Sequence, residues 1–315
     1  MLRRLTAIAV LSLLVACGGS TDEEPSSQPE GQLQGEELVV QVANYDLAAG
    51  EPSRFIAGVL TQDQLFVSYG EVDLAFFYLG TEEGEGKAEE GPTATGEFLP
   101  IEGDPGQEGP IAAPASSGRG VYGAEVTFDR AGFWAVELGA EIEGEQRGGR
   151  AVFEVTDQHR FPAVGDDAPR TANRTLDSDV PPGAIDSRAE SVEDIPDPEM
   201  HRMTIAESIK RGEPAVVVFA TPVYCVSRFC GPITDMIGEL GKRYSDRANF
   251  IHVEIWFDFQ DQAVNKAAAE WLLVDQDLVE PWVYLIDADG KIAARWDNVA
   301  TKAEVEAELE KLPKF

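Results

Sequence analysis

A change of hydrophobic period part-way along the chain limits most strongly what it can fold into. From Glu37 to about Asp157 the apolar residues fall in short runs, several of them alternating: "ELVVQV", "RFIAGVLT", "LFVSYGEVDLAFFYL", "YGAEVTFD", "FWAVELGAEI" and "RAVFEVTD". These runs are rich in Val, Phe and Tyr, and no helical period interrupts them. Successive side chains of a strand point to opposite faces, so such runs bury one face of an antiparallel sheet. The pattern predicts a β-sandwich domain over residues 37–158. Inside it, residues 80–120 are so rich in Gly, Glu and Pro that they read as one long loop.

Beyond residue 200 the period switches to alternating helix and strand. "TIAESIKRG" begins with Thr204 and carries Glu207 three residues on, a capping box. "PAVVVFA" is a continuous apolar run, as buried parallel strands show. "PITDMIGELGKRY" sets Ile233, Met236, Ile237, Leu240 and Tyr244 on one helical face. "NFIHVEIW" reads as a strand, "AVNKAAAEWLL" as a short helix, and "PWVYLID", "ADGK" and "IAARWD" as a hairpin. "TKAEVEAELEKL" opens with a second capping box, Thr301 and Glu304, and turns Val305, Leu309 and Leu312 inward. The expectation is an α/β domain over 201–315, joined to the β domain by an acidic, Pro-rich linker or arm over 159–200.

The N-terminus reads "MLRRLTAIAVLSLLVACGGS". Arg3 and Arg4 precede an apolar run from Leu5 to Ala16 that is too short for a comfortable membrane span. Its end, Leu14-Val15-Ala16-Cys17, resembles a bacterial lipobox. That resemblance implies a lipoprotein signal peptide over 1–16 and a diacylated Cys17 as the mature N-terminus. Residues 17–36, polar and rich in Pro, Gly and Ser, then form a flexible tether. The body would be extracytoplasmic and lipid-anchored to a bacterial membrane. With 57 acidic and 25 basic residues, a formal charge of −32, the chain repels nucleic acid and anionic headgroups. Nucleic acid is therefore not an expected partner, and lipid at Cys17 supplies the membrane attachment that charge would not.

Two further cysteines, Cys225 and Cys230, stand in "PVYCVSRFCGP" between a strand and a helix. Backbone N–H groups at a helix start stabilise a thiolate, and Arg228 adds positive charge nearby. Residues five apart in a regular helix have Cα atoms ~8.7 Å apart, whereas a disulfide needs less than ~7 Å. So either Cys225 lies in the loop or the first helical turn unwinds on oxidation, which Gly231-Pro232 would ease. Two sulfurs also suit Cu(I), with His252 as the later histidine, although its place in "FIHVEI" reads as a packed or sheet-facing residue. "MHRM", which contains His201, reads as the lead-in to the capped helix, and His159 borders the linker.

The order strand, Cys-bearing loop, helix, strand, helix, Pro-led strand and hairpin, helix resembles the thioredoxin-like superfamily, redoxin/TlpA-like branch, over roughly residues 161–315. The carrying motifs are "VGDDAP", "VVVFATPVYC", "EPWVYLIDADGKI" and the C-terminal amphipathic helix. "FDRAGFWAVELGAEI" loosely resembles a late strand pair of immunoglobulin-like bacterial domains. Together these imply a thioredoxin-like α/β C-terminal domain behind an immunoglobulin-like antiparallel β-sandwich. They imply Pro281 as a cis-proline, with Glu280 facing the cysteines where relatives carry Thr, Val or Ile. They also imply thiol–disulfide exchange, in which Cys225 attacks and Cys230 resolves. The partners would be protein thiols or disulfides and an electron donor, and no cofactor would be needed.

The chain departs from that pattern. Four residues separate the cysteines, not two, which matches one peroxiredoxin branch and a thiol peroxidase activity. Yet Pro222 stands where that branch carries Thr or Ser, and Val218 where it carries Pro. Sco-like copper chaperones, the binding alternative, imply copper on Cys225, Cys230 and His252, but separate their cysteines by three residues. A redox-inert adaptor is the remaining alternative.

Overall fold

The structure is a computed structural model that describes residues 37–82, 87–103, 108–225 and 229–315. The expected signal peptide, Cys17, the tether and Arg228 lie outside the described residues.

The chain is 42% strand and 19% helix, and its dominant element is one antiparallel sheet of nine strands. This corrects the expected fold class, a thioredoxin-like α/β domain behind an immunoglobulin-like sandwich. The strands are β1 (Val39–Val42), β2 (Pro52–Leu60), β3 (Phe66–Ser68), β4 (Glu71–Gly80), β5 (Glu89–Gly103), β6 (Ile111–Ala113), β7 (Gly118–Thr127), β8 (Gly132–Ile142) and β9 (Glu145–Val155). They run in the order β6-β3-β2-β7-β5-β4-β8-β9, with β1 also on β2. The ladder is unbroken from β6 to β9, so there is one sheet and not two. It curls back on itself: Leu38 N–H, at the start of β1, donates to the Gly148 carbonyl of β9 at 2.7 Å. Period-two patterning identifies strands but carries no record of which ladders join them, and that pairing decides the class.

Alternation does its expected work inside this sheet. In β4, Val72, Leu74 and Phe76 are buried while Glu71 and Asp73 are exposed. The core holds Phe55, Phe76, Phe128, Trp134 and Phe153, with Phe55–Phe76 and Phe76–Phe128 meeting edge to face at 4.9 and 5.3 Å. That geometry suits the ring quadrupoles. The expected loop over 80–120 is instead largely β5, β6 and the start of β7. The Gly- and Glu-rich segment pairs with β4 on one side and β7 on the other, so partners on both edges override its poor strand propensity.

The remaining residues build a four-stranded mixed sheet in the order β11-β10-β16-β17. Its strands are β10 (Ala215–Ala220), β11 (Asn249–Glu254), β16 (Trp282–Ile286) and β17 (Ile292–Asp297), with small hairpins β12 (Trp256–Asp258) and β13 (Ala263–Val264), and β14 (Leu273–Val274) and β15 (Asp277–Leu278). Only β10 and β11 pair in parallel. Helices α1 (Ile205–Arg211) and α3 (Lys266–Leu272) cover one face through Ile205, Ile209, Ala268 and Trp271. Helices α2 (Cys230–Tyr244) and α4 (Lys302–Lys311) cover the other through Ile233, Ile237, Val305 and Leu309. Both strand faces of β10 are therefore dry, and all six of its residues are buried. The capping boxes at Thr204–Glu207 and Thr301–Glu304 are both formed.

Residues 159–200 pack as an ordered arm. Short 3-10 turns at Pro182–Ala184, Val192–Asp194 and Pro198–His201 punctuate it, and Ile185, Ala189 and Ile195 form a small apolar cluster of their own. Polar contacts also hold the nine-stranded sheet against the mixed sheet. Arg54 makes a paired contact with Glu304, at 2.5 and 3.0 Å. The Tyr45 N–H donates to Asp297 at 2.6 Å, and Arg295 donates to Asp46 at 2.8 Å.

Candidate functional site

Strand β10 ends at Ala220, and the chain turns through Pro222 and Tyr224 before Cys225, whose N–H donates to the Thr221 carbonyl at 3.1 Å. Helix α2 starts at Cys230. Cys225 and Cys230 form a disulfide with a Cα separation of 6.0 Å, inside the ~7 Å reach of such a bond. Cys225 thus lies in the loop, one of the two solutions that helix geometry left open. It is half-buried, whereas Cys230 is fully buried. The first turn of α2 has no acidic residue, and Phe229 at its N-cap makes no side-chain capping bond. Its leading N–H groups therefore offer positive potential beside the sulfurs.

Glu280 enters from the opposite side, just before the cis bond to Pro281. One of its carboxylate oxygens and the two sulfurs all lie within 4.8 Å of one another. Its Oε2 is buried without a hydrogen-bond partner, while Tyr45 Oη donates to its backbone carbonyl at 2.7 Å. Burial, and after it the negative charge of Glu254, push the Glu280 carboxyl up to about 8. A carboxyl there is protonated at neutral pH and ready to exchange a proton.

Glu254, at the end of β11, is itself buried. It accepts N–H bonds from Ser187 at 2.8 Å and Ile255 at 2.9 Å, and burial raises its carboxyl despite them. Two residues earlier, His252 does not turn to the sulfurs. Its Nε2 meets the Ala220 carbonyl at 3.1 Å and its Nδ1 faces Asp186 at 3.3 Å.

The structure therefore brings together Cys225, Cys230, Glu280 and Pro281. His252 stands in a separate group with Asp186 and His201. Glu254 and Asp186 escaped the sequence reading. Asp186 is one acid among many in a Pro-rich stretch and gives no local signal. His201, in "MHRM", was visible but reads equally as a helix lead-in. Phe229, beside Cys230, also lines a groove of about 820 Å³ with Val40, Leu60, Phe66, Val121 and Val152. Among the described residues no helix is long and apolar enough to cross a membrane.

No family model matches the chain, and no curated protein matches it. Among solved structures it is similar to the crystal structure of Spo0M, a sporulation control protein from Bacillus subtilis, with a TM-score of 0.20 and 10% identity. That match covers 38% of this chain and 48% of the other, about half its length. A likeness this weak carries no argument about fold or function.

Proposed function

We propose that the chain is a thiol–disulfide oxidoreductase, acting through Cys225 and Cys230 and held at a membrane by lipid on Cys17. The observation that carries this reading is a half-buried sulfur bonded to a fully buried one, with a protonatable carboxyl beside both. In the reduced protein the Cys225 thiolate attacks a substrate disulfide. A bond forms from Cys225 Sγ to one substrate sulfur, and the other substrate sulfur leaves as a thiolate that takes the proton held by the Glu280 carboxyl, which becomes a carboxylate. Cys230 then gives its proton to the Glu280 carboxylate and attacks Cys225 Sγ, which releases the second substrate sulfur. The substrate gains two electrons, the pair becomes the disulfide, and a dithiol donor restores it. The α2 N-terminus favours the thiolate, and the raised Glu280 favours holding the proton.

Two variants test this. Cys230→Ala should accumulate a mixed disulfide between Cys225 and a disulfide-bonded peptide, seen by intact mass, and Cys225→Ala should not. A bridge that resists glutathione under native conditions, or trapping by Cys225→Ala instead, would overturn the assignment.

A further inference from the structure

Away from the sulfurs, a second cluster holds polar atoms that do not satisfy one another. Asp186 comes from the arm, His201 from the 3-10 turn Pro198–His201, and His252 from β11. They are 0, 0 and 1% exposed. One ligand atom from each lies within 4.8 Å of the other two. His201 Nε2 is 3.5 Å from Asp186 Oδ2, and His252 Nδ1 is 3.3 Å from the same oxygen. Hydrogen bonds from nitrogen to oxygen run ~2.7–3.2 Å, so neither contact closes. Among the described residues, His201 Nδ1, His201 Nε2 and His252 Nδ1 all lack a hydrogen-bond partner.

The tautomer of His252 sharpens the problem. Its Nε2 faces the Ala220 carbonyl at 3.1 Å, an atom that can only accept, so Nε2 carries the hydrogen. In the neutral ring Nδ1 is then a bare lone pair aimed at a carboxylate oxygen. Something positive belongs between them. A proton would draw the pair to hydrogen-bond length. A metal ion needs the atoms further apart.

We propose that Asp186, His201 and His252 bind a divalent metal ion, with zinc the best match. Zinc bonds to histidine nitrogen and carboxylate oxygen are ~2.0–2.2 Å, so tetrahedral ligand atoms sit roughly 3.3–3.5 Å apart. The two contacts to Asp186 Oδ2 have that spacing. Two imidazoles and a carboxylate are a borderline donor set that zinc accepts. The surroundings orient these ligands. Arg188 donates to Asp186 Oδ2 at 2.7 Å and to Oδ1 at 3.0 Å, which holds the carboxylate, and the Ala220 carbonyl holds the His252 ring. Such outer partners are what ligating carboxylates and histidines use. Asp186 lies in the arm, His201 in the turn at its end and His252 in the mixed sheet, so the ion staples the arm beside the strand that leads to the redox loop. This site is independent of the cysteine chemistry.

The test uses the full chain, stripped with a chelator and then titrated with zinc, the bound metal being counted by mass spectrometry after gel filtration. One equivalent of zinc should be retained by the wild type and by a Cys225→Ser/Cys230→Ser double variant. Affinity should fall at least tenfold in His201→Gln and His252→Gln, with circular dichroism confirming that they fold. Cobalt in place of zinc should give the visible bands of a tetrahedral site. No retained zinc in the wild type would overturn the proposal and leave a carboxylate–imidazolium cluster only. Equal retention by His201→Gln would overturn it as well, and loss in the cysteine variant alone would place the metal on the sulfurs. Should the histidine variants fail to fold, the wild-type crystal decides. An anomalous peak at the zinc edge within bonding distance of His201 and His252 supports the site, and a peak elsewhere or none refutes it.

Discussion

Replacing Glu280 with glutamine keeps the shape of the side chain and removes its ionisation. In the folded protein this carboxyl is raised from 4.5 to about 8, chiefly by burial and then by Glu254. An unfolded chain ionises it from pH 4.5 upward, while the folded one holds the proton until about pH 8. The stability contributed at this position is therefore complete below pH 4.5 and is lost as pH rises through the folded value. Each unit costs about 1.4 kcal/mol, so the wild type loses about 3 kcal/mol between pH 4.5 and pH 7 from this group alone. The loss should level off above pH 8. Glu280→Gln has no such loss. Urea melts of the oxidised protein and the variant at pH 5, 7 and 9 read the difference directly. The variant should gain on the wild type by about 4 kcal/mol from pH 5 to pH 9, after its own offset at pH 5 is subtracted. Parallel curves would refute the raised carboxyl, and with it the proton-acceptor role. The same variant should slow resolution of the mixed disulfide by about 10²-fold, the usual reach of a positioned acid–base group.

Because Cys225 lies in the loop, helix α2 is intact with the disulfide formed, so amide exchange from Ile233 to Tyr244 should be equally slow in both redox forms. Faster exchange in the oxidised form alone, seen by mass spectrometry, would show that the helix unwinds after all. Arg54→Ala removes the paired contact with the half-buried Glu304 and should lower unfolding stability by about 1–2 kcal/mol; a change near zero by denaturant titration would mean that water replaces the contact at no cost. Cys17→Ser should release the protein from the membrane fraction, and unchanged retention with no lipid mass would remove the anchor from the proposal.

Local signals were legible where a single segment decides the outcome. The capping boxes Thr204–Glu207 and Thr301–Glu304 need only four consecutive residues each, and both form as read. The uninterrupted apolar run of β10 needs two covered faces, and it has them. The five-residue spacing of Cys225 and Cys230 excluded a bridge across an intact helix and left two solutions, a loop position for Cys225 or an unwound first turn, of which the structure has the first. The Gly- and Glu-rich β5 failed as a reading because its strand character comes from β4 and β7, not from its own residues.

The sequence by itself determined which segments alternate, where helices begin, and which residue types stand at the strand–helix junction. Those are consequences of backbone period and of contacts a few residues apart. Only the tertiary structure decided that nine strands share one ladder, because hydrogen-bond pairing joins residues such as Leu38 and Gly148 that no local pattern connects. It alone raised Glu280, since burial and Glu254 act on that carboxyl through space. It alone placed Asp186, His201 and His252 around a common point. Asp186 and His252 are far apart along the chain, and a donor's partner is set by where the folded backbone carries it.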